Sequence, residues 1–596
     1  MKNLFIILSI IFATACIATE KESEFSKIAN QYFKESIESS PDYAANLGIP
    51  DDLGFNLNKD KLSDVSSTLY KKYYDRSRKF KLLLDQIDEK TISNDDRTCY
   101  EMFKWDNNVT LETEEFAYHS YIITSFFNFH SQLISLLTEY HLIENKIDIE
   151  NYIKKLGMIE NRFEQYHEQL DIRAKKGIYP PNFIAEIVKS NLTDFIGEKQ
   201  IGKCIFYTNL LDKIETMNLQ SADKERYLEQ ASSIILENVF PAYEKMLARV
   251  KKVEKLTDDK AGVWKLPDGD EYYKVCLLSQ TTTTLTPDQI HQIGIKEVKR
   301  IQDEMLTLFT KLGLSGESFA EIEGNWWQSL KTPENNKYNY PNNEEGKNQA
   351  VDDYMKIIAD VKVKLPDYFS LMPKAEVIVK RVPDYKVTGA GAYYSQPSFD
   401  GKRPGIFYID MKYPPRKPGM KTLTYHEAIP GHHFQLALQN EIEYLKFFRS
   451  IFYYNGFMEG WALYAEKLAK EEGWHEDINS KLSYLNSELF RAVRLMLDTG
   501  IHYKRWSREE AKKVMKESLG WASINEINRY CVNPGQACSY KIGELKIVEL
   551  REKMKKELKD NFDIKKFHSL VLEEGAIPLF ILEKKINDYL TSIKGI

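Results

Sequence analysis

Apolar residues recur at helical spacing along most of this chain, and that periodicity constrains its fold more than any other feature. Segments such as "DIENYIKKLGMIENRFEQYHEQLDIRAKKG" and "KERYLEQASSIILENVFPAYEKMLARVKKVEK" predict long amphipathic helices from about Glu24 to Lys255. Thr286-Pro287-Asp288 supplies a cap and a first-turn proline for another helix, and helices continue to about Leu365. Only between Ala375 and Met411 does the period change to alternation, in "AEVIVKRV", "AGAYYS" and "GIFYIDM". This predicts three short strands, the last two a hairpin around the turn-rich "QPSFDGKRPG". Helices resume after Lys417-Pro418-Gly419 and run almost to the end.

With 596 residues and 43% hydrophobic content the chain can bury a large core. The 82 Lys+Arg and 88 Asp+Glu are spread along it without a basic block, which argues against nucleic acid as a partner. No internal repeat, low-complexity tract or flexible linker divides it. The expected organisation is a signal peptide over 1–15 and one unit over 16–596, with a mostly helical lobe at 24–265 and a second lobe at 280–596 that carries the chemistry and the strands near 375–411.

The N-terminus MKNLFIILSIIFATAC joins one lysine to a short apolar stretch and small residues before Cys16, the pattern of an export signal too short to span a bilayer. Lipidation of Cys16 would tether the protein to a membrane surface as an envelope or periplasmic lipoprotein; cleavage after Ala15 without lipid would leave it secreted. The other cysteines, Cys99, Cys204, Cys276, Cys531 and Cys538, form no disulfide framework and read as buried thiols.

Chemistry concentrates at Thr424–Gln435, TYHEAIPGHHFQ. In the zinc helix H-E-x-x-H, two histidines four apart share one face and the glutamate takes a proton from the attacking water. Here His426 and Glu427 supply the first half, but Pro430 stands where the second histidine belongs. An undistorted helix would carry His433 about 10 Å along the axis from His426, too far to share an ion. Pro430 cannot donate to the carbonyl of His426, and Gly431 tolerates unusual backbone angles, so the pair can loop residues out and return His432 or His433 to the metal. A third ligand is expected from "YYNGFMEGWALYAEKLAKEEG", where Glu459 lies among apolar and aromatic residues and would be costly without a cation. Glu466, seven residues on and near the same face, is the second choice or a partner to a histidine.

"HEAIPGHHFQ", "GFMEGWALYAE" and "PGQACSYKIGELKIVELR" resemble the domain-of-unknown-function family 885, a bacterial group with members described as lipoproteins. More distantly, "GF-x-E" and "SYKIG" are similar to segments of angiotensin-converting-enzyme-like and carboxypeptidase Taq-like zinc peptidases. The resemblance implies a mainly α, two-lobed helical fold with a small β-sheet beside an active-site channel. It also implies zinc held by His426, His432 and Glu459, with Glu427 as base, and His432 rather than His433 as ligand because the related helices place the ligand directly after glycine. Tyr540 in "PGQACSYKIG" matches the segment that would stabilise an oxyanion, with Tyr530 and His433 as further catalytic candidates. On "SELFRAVRLMLDTGIHYKRW", Arg494, Asp498 and His502 recur at intervals of four, so Arg494 and His502 are candidates to bind substrate along a wet stripe, with a structural Arg-Asp pair as the alternative. One strand could offer its edge to an extended peptide. The expected activity is hydrolysis of short peptides. The alternatives are a non-catalytic peptide- or envelope-binding lipoprotein and a metal-dependent amidase acting on non-peptide amides. His119, His130, His141 and His568 read as core or surface residues.

Overall fold

The expected helices form, and their boundaries follow local chemistry. Thr286 accepts a hydrogen bond from Gln289 N while the Gln289 side chain returns to the Thr286 backbone, opening the Pro287–Lys311 helix with a reciprocal cap. The two quoted helical segments resolve into Lys146–Gly157 and Ile159–Lys175, and into Ser221–Ile234 and Phe240–Glu254 joined through a π-turn at Ile235–Val239. A computed structural model describes residues 22–125, 128–382, 391–443 and 446–594. The expected signal peptide and Cys16 lie outside the described residues. Among those described, no helix is long and apolar enough to cross a membrane.

The fold is mainly α with one small mixed sheet of strands β1 (Val377–Arg381), β2 (Ala392–Ser395) and β3 (Gly405–Ile409). β2 and β3 pair antiparallel as the expected hairpin, with Tyr394 opposite Phe407. β1 joins β3 in parallel, Val377 opposite Gly405, so among the described residues β3 is central, with β1 and β2 on either side.

Buried side chains group into several cores. The largest joins Phe25–Phe103 near the N-terminus to residues between Ala350 and Leu590, so the beginning of the 24–265 segment is packed into the C-terminal half. A separate core, Ile123–Val253, holds most of the rest of that segment, while Phe183, Ile184 and Ala261 join a core of the C-terminal half. A third brings the Pro287–Lys311 helix against Ile478–His502, whose apolar stripe from Leu482 to Ile501 it covers. Cys531 and Cys538 are buried free thiols.

The two helices that matter most for the site approach through glycine. Asn455–Glu471 crosses Gln536–Leu558 so closely that a Cβ on Gly543 would stand 1.8 Å from Gly456 O, and one on Gly460 would stand 2.5 Å from the Gly543 carbonyl carbon. No side chain larger than hydrogen fits there. This contact sets Glu459, on the first helix, against Tyr540, on the second.

Candidate metal centre

The H-E segment is not one distorted helix but two. Lys417–Glu427 ends directly after Glu427, Ala428–Gly431 forms a loop with a cis Ile429–Pro430 bond, and a second helix starts at His432. Gly431 is packed under the first helix: a Cβ there would lie 1.9 Å from His426 O and 2.3 Å from Tyr425 O. Glycine is therefore required for the chain to double back beneath the residue that precedes the break. Trp461 Nε1 donates to Pro430 O at 2.8 Å and ties the loop to the helix that carries Glu459.

The result brings His426, His432 and Glu459 together, with one ligand atom from each lying within 4.8 Å of the others. Glu459 Oε2 is 3.3 Å from His432 Nε2 and 3.6 Å from His426 Nε2. A tetrahedral ion at about 2.1 Å from each ligand would space them by roughly 3.4 Å, and the two distances to Glu459 Oε2 are close to that spacing. Its polar atoms are also incompletely paired: Glu459 Oε2 and His432 Nδ1 are buried without a hydrogen-bond partner. Both imidazoles stand against that carboxylate without an aligned hydrogen bond to its Oε2, and two imidazoles and a carboxylate brought to one point fit a divalent metal.

Behind this group stands Glu466. Its Oε1 lies 2.8 Å from His426 Nδ1, although the angle is not that of an aligned hydrogen bond, and Ser487 Oγ donates to its Oε2 at 3.0 Å. This is the arrangement in which a carboxylate orients a ligating histidine through its other nitrogen. Electrostatics agree. Burial alone would push the His426 imidazolium down, but Glu459 and Glu466 outweigh it and hold the group up at about 9. Burial likewise opposes ionisation of Glu459, yet His432 and then His426 keep its carboxyl well below the usual range.

Glu427 follows His426 directly at the helix end, and among the described residues no hydrogen bond reaches its buried carboxylate. Tyr540 is half-buried, its ring parallel to that of His426 with centroids 6.4 Å apart. Burial first and the Glu459 charge second push its phenol up, so it carries its proton at neutral pH.

The structure places the other sequence candidates differently. His433 turns away from the group: Tyr394 OH meets its Nδ1 at 2.9 Å and its Nε2 meets Ala375 O at 3.0 Å, so the ring links the second helix to the sheet. Burial pushes it down to about 4, which keeps it neutral. The stripe Arg494, Asp498, His502 is dry, all three being buried. His502 Nδ1 accepts from Val263 N at 3.1 Å and its Nε2 donates to Tyr530 O at 2.9 Å, leaving no ring nitrogen for a substrate. Asp498 does not pair with Arg494; it accepts from Tyr273 OH at 2.6 Å and Gly535 N at 3.0 Å. Arg494 meets Glu526 at 3.0 Å and Tyr530 OH at 3.1 Å, while its guanidinium lies 4.6 Å from the centroid of the Tyr540 ring, which it can stabilise by a cation–π contact. Sequence reasoning missed the helix crossing that joins Glu459 to Tyr540; Gly456 and Gly460, four apart on one helix face, were its visible trace.

Among solved structures the chain is similar to one from Colwellia psychrerythraea, described as a "putative lipoprotein", at 28% identity and a TM-score of 0.90, covering 96% of this chain and 100% of that one. It shares its fold with a protein of unknown function from Shewanella oneidensis given the same description, at 18% identity and a TM-score of 0.69, again over 96% and 100% of the two chains. No curated protein shows a significant match. Residues 41–586 match the family model described as "Bacterial protein of unknown function (DUF885)", and the chain belongs to that family.

Proposed function

We propose that the protein is an exported, zinc-dependent peptidase acting on short peptides. The observation that carries this reading is the convergence of His426, His432 and Glu459, one ligand atom from each within 4.8 Å of the others, with Glu427 adjoining the first histidine. Zinc held by those three residues would act as a Lewis acid toward a peptide carbonyl and make water more acidic. Glu427 then takes the proton of the attacking water and passes it to the leaving amine. Tyr540 donates a hydrogen bond to the oxyanion as it develops, with its proton retained because burial and Glu459 disfavour the phenolate. Glu466 fixes the orientation of His426.

A substrate peptide lies extended alongside the small sheet, whose β2 packs beside both motif helices. The Ile123–Val253 core and the core that joins Phe25–Phe103 to the C-terminal half flank a channel that admits short peptides and excludes folded proteins. Cys16 carries a lipid that holds the protein at the cell envelope, a reading supported by the description of the Colwellia structure. The test is to purify the full chain from zinc-supplemented medium and incubate it with an unbiased mixture of short peptides before and after chelation. Near-stoichiometric zinc and cleavage that is lost on chelation and restored by zinc support the reading. A zinc-loaded protein that cleaves no peptide rejects it.

A further inference from the structure

A second cavity, of about 440 Å³, opens where the Asn94–Glu112 and Gly269–Thr281 helices face Tyr454 and Pro534. Among the described residues its lining contains no lysine, arginine or glutamate, and its one carboxylate is Asp106. Around it stand aromatic side chains, among them Tyr73, Trp105, Tyr272 and Tyr454. Asp106 is half-buried and burial pushes its carboxyl up to about 7. Its charge is felt at Tyr73 and Tyr454, which places it within reach of both.

One carboxylate among aromatic faces is the complement of an ammonium group. The carboxylate accepts an N–H bond and offsets its charge, and the ring faces attract the polarised N–C–H groups. The position relates this cavity to the metal centre. Tyr454 immediately precedes the helix that carries Glu459, and Pro534 stands two residues before the start of the helix that carries Tyr540. At ~1.5 Å of rise per helical residue, Glu459 and Tyr540 stand roughly 8 Å further along their helices. An extended peptide covers that distance in about two to three residues. We propose that this cavity binds the ammonium group of a peptide substrate, either its N-terminal amine or a lysine side chain, two to three residues from the bond held at the metal centre. The binding site stands on its own lining; its link to cleavage rests on the peptidase reading.

The experiment is calorimetric titration of the full chain, with and without zinc, using three short peptides of equal length. One has an acetylated N-terminus and a lysine, one a free N-terminus and norleucine in place of lysine, and one an acetylated N-terminus and norleucine. At least one ammonium-bearing peptide should bind about tenfold or more tightly than the doubly neutral one, as a charge-assisted hydrogen bond implies, and the two cationic peptides tell which amine is read. Asp106→Asn should abolish that preference and leave the neutral peptide's affinity unchanged. Val109→Lys, which brings a tethered ammonium to the same wall, should abolish it too. Equal binding of all three peptides by the parent overturns the proposal, as does an undiminished preference in either folded variant. A preference shown by zinc-loaded protein that cleaves no peptide keeps the ammonium site and removes the peptidase reading alone.

Discussion

His426 and His432 differ from His433 and His502 in one respect that burial does not reveal. All four sit inside the protein, but both ring nitrogens of His433 and His502 are taken by backbone or tyrosine partners, whereas Nδ1 of His432 has none and Nδ1 of His426 faces a carboxylate. A histidine whose two nitrogens are satisfied within the fold is a strut. One that turns a nitrogen toward an unpaired carboxylate oxygen is poised for a ligand that the polypeptide does not supply. The same contrast separates Glu459 from Asp498: the first keeps a buried oxygen without a partner, the second is met by Tyr273 and the Gly535 amide.

The comparison is sharpened most by separating chemistry from metal binding. Glu427→Gln should bind zinc as the parent does yet lose about 10²–10⁴-fold in peptide turnover, the range expected for loss of a positioned base. Near-parental turnover in the zinc-loaded variant would remove Glu427 from that role. Glu466→Gln should weaken zinc binding by about 10–100-fold, because it withdraws the carboxylate that orients His426 without removing a ligand. Competition with a chelator of known affinity measures this, and an unchanged affinity would make Glu466 a structural residue only.

On the other side of the comparison, His502→Ala should leave zinc content intact and destabilise the fold. It strands Val263 N–H and Tyr530 C=O in a buried site, at a cost of about 1–3 kcal/mol for each. Denaturant melts and metal analysis of the same sample check both halves, and loss of zinc with unchanged stability would break the distinction.

Much of this was legible in the sequence. His426, Glu427 and Glu459 stood out because a charge in an apolar helix and a Pro-Gly break in a zinc-type motif both demand a physical reason. The strand segments and the Thr286 cap were visible for the same kind of local reason. What the sequence could not show depended on residues distant in the chain. Tyr394 and Ala375, which satisfy His433, come from the sheet region some 40 to 60 residues earlier. Spacings of four put Arg494, Asp498 and His502 on one face but could not say that the face would be covered by the 263–273 segment and by Tyr530 and Gly535. The break into two helices, rather than a distorted single one, follows from Gly431 packing under His426 O, a contact that exists only once the chain has turned back.

A smaller effect lies away from both sites. Glu323 is buried against the Trp327 indole and Asn486, and burial pushes its carboxyl up to about 7 from an ordinary 4.5. The folded state therefore holds a proton that the unfolded chain releases at lower pH, so the parent loses stability as pH rises from roughly 4.5 to 7. Glu323→Gln, which cannot ionise, should flatten that part of the profile of melting temperature against pH. An equally steep decline in the variant would show that Glu323 does not contribute to it.

The central claim is that of two adjacent histidines one is a ligand and the other a strut, and zinc stoichiometry of the purified His432→Ala and His433→Ala proteins tests it most directly. The account predicts that His432→Ala is empty while His433→Ala retains the zinc content of the parent and is destabilised through its lost contacts with Tyr394 and Ala375. An empty His433→Ala beside a loaded His432→Ala would reverse the assignment, and full zinc occupancy in both would show that the 426–433 segment holds no metal.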